Sequence, residues 1–481
     1  MKRNLLWLTA AMLLPAAALG QGWVGQQMIN RPDGDTCELM PAIAFDAAGV
    51  PWVVWGRNLS DTTLLYSRWD GRHWAPQSGV CANAPGVHCG VGPSLCFDSR
   101  GRARAAWSSQ NNDNSLDVGS SYWTGSAWSP EVQVDTPDAD SMDVTPKIAS
   151  GGGQVWCVWN HAETQVSPYS VYASRWDDST DRWEGEYCVN PPNGNNNWWC
   201  DVAVDSGGKP HVVWTETEHL AIYYSFYDGA QWSAPSLVND SSRVRAVVWP
   251  APRIVIDREG ILHVSYTGVL NGDSASDEFY TRNDGSGWTP SVRVTQDPVN
   301  NCEDEYSDIA ADRSDNVWIA FERDGGGSYA GIYAVHFDGK SWSGEQRLDD
   351  DSAHGDGSVT VALDPAGLPW VAWCGVTYSQ GNDDIYCNHY STPPAIHETK
   401  HGAATRLQSV IRGVLCVPAS SVMRGASCAL LDISGRRVLD LHHGTNDVRA
   451  LAPGVYFVRE GLGTRGEGLG KTRKVVLTGG R

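Results

Sequence analysis

Four ionisable residues of mixed sign, Lys147, Asp201, Arg253 and Asp308, stand at one position of a repeated pattern whose full series is Ala42, Ser94, Lys147, Asp201, Arg253, Asp308 and Thr360. Repetition that gathers such side chains at one mouth creates a place where a polar ligand can be held by oriented hydrogen bonds. The competing reading is that they pair with one another across a water-filled channel. Trp198 and Trp199 in NNNWWC, and Trp249 in VVWPAP, fall outside the regular aromatic positions of the pattern. An exposed indole offers an apolar face to the C–H groups of a sugar and a polar edge to its hydroxyls. Glu216, Glu218 and His219 follow in the same repeat as Asp201.

Two chemistries can be built from this set. A non-catalytic site for a glycan or other surface ligand would use Lys147, Trp198, Trp199, Asp201, Glu216, Trp249, Arg253 and Asp308. A glycan-processing enzyme would instead need one carboxyl kept protonated and a second ionised, at a separation set by the stereochemistry. Asp201, Glu216 and Asp308 are the carboxyls available for that. A third reading is a protein-binding adhesin or structural surface protein.

The pattern that positions these residues is long. AFDAAGVPWVVWG at 44–56 returns as ALDPAGLPWVAWCG at 362–375. Anchored on the residue before the glycine turn, the copies are Asp46, Asp98, Ser150, Asp205, Asp257, Asp312 and Asp364, at intervals of 52, 52, 55, 52, 55 and 52 residues. Nine residues beyond each anchor stands a large aromatic: Trp55, Trp107, Trp159, Trp214, Tyr266, Phe321 and Trp373. Each copy parses into an apolar run, a tight turn, a second run such as PWVVW, a third such as LLYSRWDG with an Asp-Gly turn signal, and a Trp-led fourth such as HWAPQ or AWSPEVQV. Nothing between the turns has a 3.6-residue period, which excludes helical solenoids. Four strands per period of roughly 50 residues point to an all-β chain, a seven-bladed β-propeller. The seventh copy runs into STPP without a fourth strand, and GWVGQQMIN at 22–30 has the Trp-led form of one. It is expected to complete the last blade and close the ring, leaving no exposed edge.

Alternating strand direction puts the tight turns on one face and the long loops on the other, where function is expected. Those loops, among them DTPDADSMD, TQDPVNNCEDEYSD and DDDSAHGDG, are acidic, in a chain of 481 residues with net charge −20. Nucleic acid is therefore excluded as a partner, and a neutral or cationic saccharide is favoured over a polyanionic one. DADSMD and DDDSAHGDG offer several carboxylates to Ca²⁺, but neither has the spacing of a known calcium motif, and solvated loops are the simpler expectation. No other cofactor is expected. Residues 395–481 carry 13 Lys and Arg against 6 Asp and Glu, a net of +7, which leaves −27 for residues 1–394. A change of sign that abrupt marks two domains.

MKRNLLWLTAAMLLPAAALG has the basic start, apolar run and small-residue end of a secretory signal. Export favours disulfides among the twelve cysteines. Spacing suggests Cys81 with Cys89, Cys188 with Cys200 (which would brace the Trp198-Trp199 loop), Cys374 with Cys387 and Cys416 with Cys428. Cys96 and Cys157 are expected to be free thiols, and Cys37 and Cys302 are left unassigned.

ALLDISGRRVLDL, LAPGVYFVRE and the basic KTRKVVLTG near the terminus resemble the C-terminal sorting domain of proteins exported by the type IX secretion system. The resemblance covers about the last 80 residues. It implies a small immunoglobulin-like β-sandwich that serves as an address to the secretion machinery. The repeats resemble, more loosely, secreted sialidase-like and lectin propellers. They lack the Ser-x-Asp-x-Gly-x-x-Trp box, and no arginine triad with a Tyr-Glu pair can be assembled from aligned positions. The organisation expected is a signal peptide over 1–20, a propeller over 21–391, a linker over 392–405 and a sorting domain over 406–481, in a secreted or surface-attached monomer.

Overall fold

A computed structural model of the chain describes residues 22–31, 37–58, 63–81, 88–110, 115–136, 141–191, 193–247, 251–296, 302–324, 330–350, 353–355, 358–377, 383–391, 410–411, 414–417, 428–432, 436–442, 444–449, 451–460 and 472–477. Every regular element among them is a β-strand. The chain divides into two compact units, Met1–Pro393 and Pro394–Arg481. The expected signal segment, 1–20, lies outside the described residues.

Repeat one shows how the first unit is built. Its strands Cys37–Phe45, Pro51–Asn58, Thr63–Arg68 and Ser78–Gly79 pair antiparallel in chain order. Asp46 makes the first turn: its Oδ1 accepts the N–H groups of Ala48 and Val50, both at 2.9 Å, while Gly49 takes φ 77°, a conformation that costs a residue with a Cβ. Asp98, Asp205, Asp257 and Asp364 cap their turns in the same way. All seven repeat aromatics, from Trp55 to Trp373, are at most 1% exposed. Burying each contributes about 1.5–3 kcal/mol or more, so the period read in the sequence is the period of the core.

Repeats two to six follow the same order of pairing. In the fifth, Val244–Ala246 and Arg253–Ile256 both pair with Leu262–Leu270. The last repeat pairs Thr360–Leu363, Pro369–Thr377 and Asp383–Ser391. Against Asp383–Ser391 the chain lays its own beginning, with Trp23 opposite Tyr390 and Met28 opposite Tyr386. Ile29, 4% exposed, packs in one cluster with Ile43 and Trp55 of repeat one and Ile385 of repeat seven.

The second unit holds a five-stranded sheet in the order Val410–Ile411, Thr472–Leu477, Gly454–Glu460, Cys428–Leu431, Arg437–Leu441, and a two-stranded pair, Val414–Val417 with Gly444–Asp447. Leu415, Leu430, Val458 and Val475 form its core.

The cysteine expectations need correction. Cys188 and Cys200 are both free: the Cys188 Sγ lies 2.8 Å from the Asn190 carbonyl on an outer strand of repeat three, whereas Cys200 is buried on the first strand of repeat four. Cys387 is also free. It stands opposite Ala372, and Cys374 opposite Ile385, a diagonal offset too wide for a bridge. Cys96 and Cys157 are free thiols. The side chains of Cys89, Cys416 and Cys428 lie outside the described residues.

Candidate functional site

A local irregularity in the first strands creates the site. Five of them break register at the same place, between Leu39 and Ala42, Val91 and Ser94, Val144 and Lys147, Trp198 and Asp201, and Glu305 and Asp308. At each break a residue takes positive φ: Met40 at 52°, Gly92 at 62°, Thr145 at 53°, Trp199 at 52° and Tyr306 at 52°. Ser358, at 68°, holds the same place in repeat seven. A bulge of this kind re-aims side chains, and left-handed backbone at non-glycine residues is characteristic of sites where position matters more than comfort.

The re-aimed residues line one cavity of about 370 Å³, to which the first strands of all seven repeats contribute. That volume lies within the range of small-ligand sites. Lys147, Trp199, Asp201, Arg253, Tyr306 and Asp308 supply its charged and aromatic lining. A smaller cavity of about 260 Å³, between 27–31 and 72–76, gathers no comparable set of charges.

Within the cavity, both carboxylates are engaged by backbone, and the Lys147 ammonium is not. Asp201 Oδ2 accepts the Ile254 N–H at 2.9 Å, and Asp308 Oδ2 accepts the Val361 N–H at 2.8 Å, so each carboxylate ties its repeat to the next. Ser94 does the same for Ile148 at 3.1 Å. Arg253 Nε reaches the Ser307 carbonyl at 3.3 Å and stands 3.8 Å from Asp308. Among the described residues, nothing lies within hydrogen-bond or ion-pair reach of the Lys147 ammonium. Burial first, then the neighbouring Arg253 charge, push it down to about 8, against the pull of Asp201 and Asp308. Burial raises the Asp201 carboxyl, opposed by Arg253, Lys147 and the Ile254 N–H.

The other candidates are placed elsewhere. Trp198 packs on Tyr169, ring centroids 3.8 Å apart, and does not line the cavity. Trp249 lies outside the described residues. Glu216 is 1% exposed and receives the His219 backbone N–H at 3.1 Å and its ring Nδ1 at 2.7 Å. It occupies the place that Arg57, His161 and Arg323 hold in other repeats. There Arg57 meets Glu38 at 2.6 Å, His161 meets Asp143 at 2.8 Å and Arg323 meets Asp304 at 2.6 Å. Repeat four has Asn197 opposite instead of an acid, and Asn197 Oδ1 takes the Trp214 indole N–H at 3.0 Å. The pairing of Glu216 with Asp201 or Asp308 as a catalytic couple is therefore not what the fold brings together. The ion-pair series itself was missed from sequence, although Glu38 and Asp304 both stand 17 residues before their repeat aromatic.

No protein-family model matches the chain, and no curated protein matches its sequence. Solved structures resemble it in fold. An ulvan lyase of polysaccharide lyase family PL25 aligns over 76% of this chain and 95% of its own, with TM-score 0.51 and 10% identity. A fungal alcohol oxidase of the AA5 family, in complex with copper, aligns over 95% of this chain and 100% of its own, also with TM-score 0.51 and 10% identity. The GH93 α-L-arabinofuranosidase of Fusarium graminearum with arabinobiose aligns over 77% and 98%, with TM-score 0.47 and 10% identity. At these identities the likeness is one of fold, all-β and of propeller type.

Proposed function

We propose that the first unit is a seven-bladed propeller, closed by strands at 22–28, that binds a saccharide in the cavity at its axis without transforming it. The observation that carries this reading is the uncommitted Lys147 ammonium beside Arg253, in a cavity rimmed by Trp199 and Tyr306. An uncommitted ammonium beside a guanidinium suits a ligand rich in acceptor oxygens, a neutral or uronic sugar, and disfavours the cationic one that net charge alone suggests. Trp199 supplies a stacking face on a backbone already fixed by the bulge, which lowers the ordering cost of binding. Commitment of Asp201 and Asp308 to backbone N–H groups supports binding over hydrolysis, since neither carboxylate has both oxygens at the disposal of a substrate. Export, with the second unit as a type IX sorting address, fits this reading, as does action as a monomer on an extracellular glycan. The test is a panel of neutral and uronic oligosaccharides titrated into the full chain, with product analysis on each that binds. Binding without turnover, weakened tenfold or more by Lys147→Met (about 1.4 kcal/mol or more), supports the proposal. Release of unsaturated or hydrolysed sugar would replace it with the enzymatic reading.

A further inference from the structure

Three buried carboxylates meet where repeats two and three join. Asp117 is second in the third strand of repeat two, Leu116–Tyr122, Asp135 follows its outer strand, Val132–Gln133, and Asp143 is second in the first strand of repeat three, Met142–Gly151; they are 5%, 7% and 1% exposed. One oxygen from each lies within 4.8 Å of the others. The join is fixed by main chain, since Met142 bridges Leu116 and the Leu116 N–H donates to the Ser141 carbonyl at 3.2 Å.

The other repeats show how this junction is normally neutralised. At the place of Asp135 stand Asn30, Asn190, Asn239, Thr295 and Asp349, each accepting a backbone N–H of the third strand at 2.6–3.2 Å. Where that residue is an acid, Asp349, Arg347 two positions earlier grips both its oxygens at 2.9 Å. Where an acid stands at the place of Asp117, it is likewise answered: Asp277 by Arg293 at 2.6 Å and Thr295 at 3.0 Å, Asp384 by the Asn30 amide at 2.8 Å. Repeat two has acids at both places, Asp143 beside them, and Gln133 where the arginine stands. Asp135 Oδ1 is occupied by the Val118 N–H at 3.1 Å and by the Gln133 amide. Its Oδ2 is buried and has no hydrogen-bond partner among the described residues.

We propose that Asp117, Asp135 and Asp143 bind a calcium ion, which takes the place of the arginine found in repeats five and six. An all-carboxylate donor set suits a hard cation, and oxygens on one Ca²⁺ at 2.3–2.6 Å can stand up to about 5 Å apart, wider than the about 4.2 Å that Mg²⁺ allows. The ion would pin the third strand of repeat two to the first strand of repeat three. Asp143 ends the stretch DADSMD, whose Asp138 and Asp140 lie outside the described residues.

The test uses the full chain, CaCl₂ and MgCl₂ against EDTA, read by differential scanning calorimetry and by direct calcium titration. Calcium should raise the melting temperature and titrate with one site in this unit. Asp135→Asn should abolish both responses while melting no lower than the parent in EDTA, because it replaces the buried Asp135 Oδ2, which has no hydrogen-bond partner among the described residues, with a neutral amide. Gln133→Arg should do the same by restoring the arginine of the other repeats. An unchanged melting temperature in calcium, an equal response to magnesium, or a calcium response that survives in Asp135→Asn would overturn the assignment.

Discussion

Truncating Ile29 to alanine should destabilise the first unit far more than its place near the chain's beginning suggests. The side chain is 4% exposed and sits among Ile43, Val53 and Trp55 of repeat one and Trp370, Ala372 and Ile385 of repeat seven. Its own N–H donates to the Ile385 carbonyl at 2.7 Å, so the backbone cannot slide to refill the space. Removing three buried carbons from a site held on both sides costs about 2–5 kcal/mol, the lost transfer energy plus the cavity left behind. Ile29→Val, which removes one carbon, should cost about 0.5–1.5 kcal/mol. The assay is urea unfolding of the full chain at constant m-value, parent against both variants. A loss under about 0.5 kcal/mol for Ile29→Ala would refute the reasoning, because it would mean that 22–31 adds no packing between the first and last repeats.

Other perturbations separate the remaining claims. Arg323→Ala should cost about 3–5 kcal/mol by calorimetry, since it leaves the fully buried Asp304 without the guanidinium that holds it at 2.6 and 2.9 Å. Glu278 is 0% exposed, and burial pushes its carboxyl up to about 8. A carboxyl raised in the folded state favours folding only while protonated, so its cost grows from the ordinary carboxylate range up to pH 8 and is constant above. Glu278→Gln should therefore stabilise the chain by a few kcal/mol at most at pH 8–9 and by little at pH 4, measured as denaturant midpoints at both. Trp199→Ala should weaken ligand binding by about 1–3 kcal/mol, whereas Trp198→Ala, on the Tyr169 side, should change it by less than about 0.5 kcal/mol in the same titration.

Reading the sequence reached the core sooner than the site, for a physical reason. Asp46, Gly49 and Trp55 act through short-range rules, an Asx turn and a buried aromatic nine residues on, and such rules repeat visibly. The series from Ala42 to Thr360 was legible for the same cause. Trp198 and Trp199 were not separable, because strand alternation says only that neighbours face opposite ways. Which of them enters the cavity depends on a bulge at φ 52°, and no residue type announces it at Trp199. Glu216 looked like an available acid because its burial is decided by Asn197, a residue 19 positions earlier on another strand. Cys188 and Cys200 misled similarly: twelve residues apart in sequence, they belong to different sheets.

Direct titration of Lys147 bears most closely on the function. The full chain, its Lys147→Met variant and an exposed-lysine control, Lys340→Met, would be measured against the saccharide that binds best, from pH 6 to pH 10. An ammonium held near 8 by burial should give affinity that falls as pH rises through about 8 in the parent and in the control. Lys147→Met should bind at least tenfold more weakly at pH 7 and show no such fall. Equal affinity of parent and Lys147→Met across that range would contradict a ligand site at the cavity.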